Sequence, residues 1–217
     1  MVQCPMHETT SREAAPRRDT RERILEVAEA AVLAKGFAAT SIDEVIAAVG
    51  ITKSGFFYHF RDKAELAKAM LLRYLDRDQA LLDDLFSRAD ELNEDPLHGF
   101  LVGLKMFAEM MADLPMNYPG CLAASFAYQD TLFNAEVCKL NADGMLAWRR
   151  RFRGRFDLIA EKYPPRQAVD FDALADMATA LVEGGIILGR VFKDNDALPR
   201  QILLYRDFVR GIFLGTN

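Results

Sequence analysis

Along almost the whole chain, apolar residues recur at spacings of three and four, and no stretch alternates with period two. The pattern predicts helices and no sheet. The first predicted helix runs from Asp19 or Thr20 to Lys35, with Ile24, Leu25, Ala28, Ala31 and Val32 on one face and Gly36 as its stop. A second follows Ser41, whose hydroxyl caps it, with Glu44 three residues on to complete a capping box. Ile42, Val45, Ile46 and Val49 form its buried stripe, and Gly50 ends it. Thr52 caps a third, short helix, and Ile51 and Phe56 on either side of that cap are placed as a hydrophobic staple. Two short helices joined by a glycine turn make a helix-turn-helix.

The free face of the third helix decides what this unit can do. At about 100° per residue, Phe56 and Phe60 point together into a core, while Ser54 and Tyr58 point away. Lys53 and Phe57 lie on one flank, Gly55 and His59 on the other. A cation, a hydroxyl and an aromatic on one exposed face suit the major groove, where Phe57 can also meet a thymine methyl. Asp62, with Glu65 three residues later, caps a fourth helix whose first turn holds Lys63. A cation is disfavoured there by the helix dipole, and a bound phosphate would reverse that. The candidate DNA-contacting residues are Ser41, Thr52, Lys53, Ser54, Gly55, Phe57, Tyr58, His59 and Lys63.

The run Thr40–Val45 followed by Gly50–Lys63 resembles the N-terminal domain of the TetR family of bacterial regulators, and the resemblance covers residues 19–63. It implies an all-helical homodimer whose C-terminal domain holds an inducer pocket. By position, Lys53, Ser54, Gly55 and Tyr58 match residues that contact bases and backbone, and His59 and Lys63 match phosphate contacts. Gly55 and Phe57 each lack a hydroxyl that the family often carries there. The expected architecture is all-α: a flexible arm over 1–18 with Arg12, Arg17 and Arg18, a helix-turn-helix head over 19–63, and a helical ligand-binding and dimerisation body over 64–217.

In the body, the fourth helix is expected to reach about Ala89, and Asp95-Pro96 opens the fifth. A loop spans 114–120, the sixth helix starts near Cys121, and the seventh covers roughly 141–163 before Pro164-Pro165. The eighth spans about 171–192 and the last ends near Phe213. Leu174, Ala178, Leu181, Gly185 and Leu188, with Ile202, Tyr205, Val209 and Ile212, are read as a two-fold four-helix seam. Candidate ligand contacts are Phe100, Leu104, Phe107, Met111, Cys121, Phe126, Met145, Trp148, Phe152 and Met177. Arg149, Arg150, Arg151, Arg153 and Arg155 read as a solvated face rather than the edge of an anion pocket.

Composition sharpens this picture. Apolar residues make up 51% of 217, enough for a sizeable core. The net charge of −5 is uneven: residues 1–77 hold 12 Lys+Arg against 11 Asp+Glu, leaving 15 against 21 for the remainder. A near-neutral head on an acidic body is compatible with local phosphate binding. No apolar run approaches the ~18 residues of a membrane span, and the first nineteen residues contain no apolar signal core, so a cytoplasmic location is expected. Cys4, Cys121 and Cys138 form no CxxC, His7, His59 and His98 have no nucleophile partner, and HExxH, P-loop, GxSxG and GxGxxG motifs are missing. No catalytic residue, metal or cofactor is expected.

The resulting expectation is a homodimeric repressor on a near-palindromic double-stranded operator, released by an apolar or amphipathic small-molecule inducer. Two alternatives stay open. One is a thiol-based redox or electrophile sensor, with Cys121 activated by a helix N-terminus. The other is a DNA-binding protein without a ligand.

Overall fold

Side-chain oxygens set most of the helix starts. In the computed structural model, which describes residues 19–115 and 118–215, nine α-helices follow one another: α1 Thr20–Lys35, α2 Ile42–Val49, α3 Lys53–His59, α4 Lys63–Leu92, α5 Pro96–Ala112, α6 Leu122–Ala127, α7 Ala135–Lys162, α8 Phe171–Phe192 and α9 Ala197–Leu214. The arm over 1–18 lies outside the described residues, as does Cys4. Asp19, Ser41, Thr52, Asp62, Asp95, Asn134 and Asp170 each accept a backbone N–H from the first turn of the helix that follows. The α7 start corrects the expectation of 141: Asn134 accepts from Val137 N at 3.0 Å and begins the helix earlier. A 3-10 turn over Asp130–Leu132, which periodicity did not reveal, leads into it.

The head closes through its glycine turn. Gly50 sits at φ 72°, ψ 41°, a left-handed conformation that a side chain would strain. Phe56 and Phe60 are buried with Ile24, Leu25, Ala28, Val45 and Val49, as the helical face predicts. This core does not stop at residue 63. It takes in Leu66, Met70 and Leu71 of α4, Leu122 and Phe126 of α6 and Val137 of α7. A second core joins α4, α5, α7, α8 and α9 around Phe86, Phe100, Phe152, Phe156 and Tyr205.

Two expectations about the body are corrected. Ile202, Tyr205, Val209 and Ile212 of α9, with Leu174, Ala178 and Gly185 of α8, are buried inside the protomer. Gly185 is glycine because α9 passes against it: a Cβ there would lie 2.8 Å from Leu198 Cα. The apolar face left open by these helices is a different one, Ile187, Val191 and Phe192 on α8 with Leu203, Leu204 and Phe208 on α9. The arginine run, in turn, is a set of ties to neighbouring helices. Arg149 binds Asp176, Arg151 binds Asp83 and Gln79, Arg153 binds Asp157 and Asp172, and Arg155 binds Asp90. These pairs pin α7 to α4 and α8 and leave four of the five guanidinium groups committed to carboxylates.

Candidate nucleic-acid interface and ligand cavity

The exposed side of α3 follows from the burial of Phe56. Tyr58 is 85% and Phe57 42% exposed, and Lys53 and Ser54 lie beside them on the surface. The Thr52 hydroxyl makes two contacts, accepting from Gly55 N at 3.1 Å and meeting the Ser54 hydroxyl at 3.0 Å. Ser41 accepts from Glu44 N at 3.1 Å. The reciprocal half of that predicted box is replaced, because the Glu44 carboxylate pairs with Lys35 of α1. Lys53 Nζ stands 3.5 Å from Asp43 of α2, an exposed pair that water screens and a phosphate can displace. The rings of Tyr58 and His59 pack edge to face at 5.0 Å, which orients the tyrosine.

Lys63 departs from its expected environment. Its ammonium is not an unpartnered charge at the start of α4; it donates to the Phe37 carbonyl at 2.7 Å and lies 4.3 Å from the centre of the Phe37 ring. Burial holds its pKa below the ordinary lysine value. These contacts account for a cation in that first turn without invoking a phosphate.

Between the two cores lies a cavity of about 390 Å³, walled by α4, α5, α7, α8 and the segment before α6. Of the predicted ligand contacts, Phe107, Met111, Cys121, Met145 and Trp148 line it. The others are elsewhere. Phe100, Leu104 and Phe152 are buried in the body core, Met177 packs against that core, and Phe126 stacks on Phe133 at 4.3 Å beneath the head. Sequence reasoning missed the α4 wall, Tyr74 and Asp78, along with Tyr118, Thr179 and Glu183. A signal for one was present, since Glu183 is the only charge between Asp176 and Arg190 on α8.

Polar groups inside the cavity are arranged in short chains. Tyr74 donates its hydroxyl to Cys121 Sγ at 3.2 Å, and Trp148 donates its indole N–H to Asp78. The Cys121 thiol is also within hydrogen-bonding reach of the Glu183 carboxylate. Burial, reinforced by the Glu183 charge, pushes that thiol up to about 12. Cys121 does cap α6, accepting from Ala124 N at 3.4 Å, but desolvation outweighs what the helix end contributes. The expectation of a stabilised thiolate is therefore corrected. With Cys4 and Cys138 replaced by serine, Cys121 should react with iodoacetamide at neutral pH about a thousandfold more slowly than free cysteine. Alkylation as fast as free cysteine would restore the thiol-sensor reading.

The cavity is tied to the head along α4. Immediately before Tyr74 and Asp78 in the chain, Arg73 and Arg77 bind Glu29 of α1, Arg73 through Nη1 at 2.7 Å. Arg73 also binds Glu22. A second tie runs through the end of α6, where Gln129 accepts from Ala38 N at 3.2 Å and Phe126 and Phe133 pack on Phe37.

Residues 24–70 match the family described as bacterial regulatory proteins, tetR family. The chain is 26% identical over 127 residues to the HTH-type transcriptional regulator ArpR of Pseudomonas putida, a match spanning 56% of this chain and 55% of ArpR. It is 28% identical over 144 residues to the HTH-type transcriptional repressor NemR of Escherichia coli, spanning 66% of each. Over the matched stretch the chain thus spans only about half of ArpR. Among solved structures, the regulatory protein TetR from Rhodobacter sphaeroides superposes with a TM-score of 0.71 at 21% identity, covering 87% of this chain and 97% of that one. The reduced form of Escherichia coli NemR superposes with a TM-score of 0.69 at 17% identity, covering 89% and 97%. The head, over residues 24–70, thus matches the tetR family of bacterial regulatory proteins, and the helical fold as a whole is shared with those solved structures.

Proposed function

We propose that this protein is a homodimeric transcriptional repressor that binds a near-palindromic DNA operator and is released by a small molecule in the cavity between its two cores. The exposed α3 face carries the reading. Lys53, Ser54, Phe57 and Tyr58 project from a helix whose other side is fixed by Phe56 and Phe60, and no packing role explains an outward Tyr58. Ser41, Thr52, Gly55 and His59 border that face, Ser41 and Thr52 as caps, with the Thr52 hydroxyl shared with Ser54. Lys63 reaches a phosphate only by exchanging its Phe37 carbonyl for it.

The unpartnered apolar face of α8 and α9 supplies the two-fold seam, and Gly184 on α8 has open space where its Cβ would be. Dimerisation sets the spacing of the two heads at about one helical turn of DNA or a multiple. A ligand between α4 and α8 acts on that spacing through α4, whose Arg73 and Arg77 hold α1. The presence of a cavity supports this reading over a ligand-free DNA-binding protein. No helix among the described residues is long and apolar enough to cross a membrane.

Selection of genomic fragments by the purified protein at physiological salt tests the proposal. The expected outcome is a small set of fragments sharing a near-palindrome, with specific binding at least about a thousandfold tighter than nonspecific. Equal retention of random and genomic DNA would refute it.

A further inference from the structure

The cavity's walls are aromatic, and its two carboxylates share the lining with one arginine, Arg77. Phe107, Trp148, Tyr74 and Tyr118 supply rings from α5, α7, α4 and the segment before α6, and Asp78 and Glu183 bring carboxylates in from α4 and α8. The cations around these carboxylates make their ion pairs with other residues. Arg77, at the rim, is held by Glu29 of the head, and Arg151 is held by Asp83 and Gln79. Among the groups lining the cavity, Tyr74, Tyr118 and Cys121 are neutral in their buried state, so they add no compensating positive charge.

We propose that the ligand of this cavity is an aromatic organic cation, its charge held by Glu183 and Asp78 and its ring system stacked among Trp148, Phe107 and Tyr118. This rests on the reading of the cavity as the ligand site and adds the chemical class that the site selects. Two carboxylates taken from water with no ion-pair partner of their own are costly, and a ligand that brings the charge offsets that cost. The faces of Trp and Tyr rings attract the same charge. An anion of equal shape would meet the two carboxylates unshielded, and a neutral ligand would leave them as they are.

The electrostatics of the empty cavity agree. Burial raises the pKa of both Asp78 and Glu183, and the Asp78 charge raises Glu183 further. Trp148 and Arg151 pull Asp78 the other way, and the contact with Cys121 does the same for Glu183. A bound cation favours the ionised carboxylates, so binding expels protons. Affinity for a permanent cation must then rise with pH through the window in which the raised carboxylates titrate.

Calorimetry with three compounds sharing one ring system tests the proposal: (1-naphthylmethyl)trimethylammonium, 1-naphthalenemethanol and 1-naphthaleneacetate. The cation is expected to bind about tenfold tighter than the alcohol, and the acetate weaker than both. Glu183→Gln and Asp78→Asn, each checked for an unchanged melting temperature, should each erase most of the cation's advantage while leaving the alcohol's affinity within about twofold. In the double variant the rise of cation affinity with pH should vanish. If the acetate binds as well as the cation, the charge assignment is overturned while the cavity survives as a ligand site. If none of the three binds, the cavity reading itself falls with it.

Discussion

Replacing Leu204 and Phe208 together by glutamate is expected to yield a folded monomer that holds its operator about a hundred- to ten-thousandfold more weakly than the wild-type dimer. The two side chains are 61% and 44% exposed on α9, so removing them costs the protomer little of its own core. In an obligate seam, however, two like charges per protomer face their symmetry copies without solvent. DNA binding then loses its second head, and with it the effective concentration that makes two modest contacts one strong one. Sedimentation at micromolar concentration and operator binding on the same sample separate the steps. A dimeric double variant would place the seam elsewhere. Gly185→Leu serves as the contrast. Its side chain would enter the backbone of α9 at Leu198, so it should unfold the protomer rather than dissociate a dimer, with an overpacking cost of about 1–3 kcal/mol or more.

The contrast between Gly185 and Leu204 also shows where the sequence could be read and where it could not. The head was legible almost to the residue because local chemistry fixes it. Ser41, Thr52 and Asp62 are caps, Gly50 requires positive φ, and Phe56 and Phe60 can share only one face. In α9, apolar residues occupy two faces, Ile202-Tyr205-Val209 and Leu204-Phe208, and helical spacing alone does not say which one the protomer keeps for itself. The same ambiguity governs the cavity. Phe100, Leu104 and Phe152 fit a pocket wall as well as a core until α4 and α7 are placed, and then Phe86, Phe100 and Phe152 pack against one another as a ring cluster. Lys63 escapes a local reading for a related reason: its charge is stabilised by a carbonyl and a ring 26 residues earlier, a contact that no local rule anticipates.

The second large effect belongs to α3. Tyr58→Ala and Lys53→Ala should each leave the melting temperature within about a degree of wild type, since both side chains lie outside the core and the Lys53–Asp43 pair is exposed. Against DNA the picture reverses. A side chain that reads a base edge or a thymine methyl contributes about 1–3 kcal/mol, and in a two-fold dimer each substitution enters twice. Tyr58→Ala is therefore expected to lose roughly 2–6 kcal/mol on the operator, between about thirtyfold and ten-thousandfold, while weakening nonspecific DNA far less. Lys53→Ala should differ in kind, because a lysine on a phosphate sets the salt dependence. The slope of log affinity against log salt should fall by about two for the dimer, one counterion per head. Lys63→Met gives the internal comparison. If its ammonium stays on the Phe37 carbonyl in the complex, that variant lowers the melting temperature and leaves the salt slope unchanged. A Tyr58→Ala protein with wild-type operator affinity and preference would remove α3 from the groove.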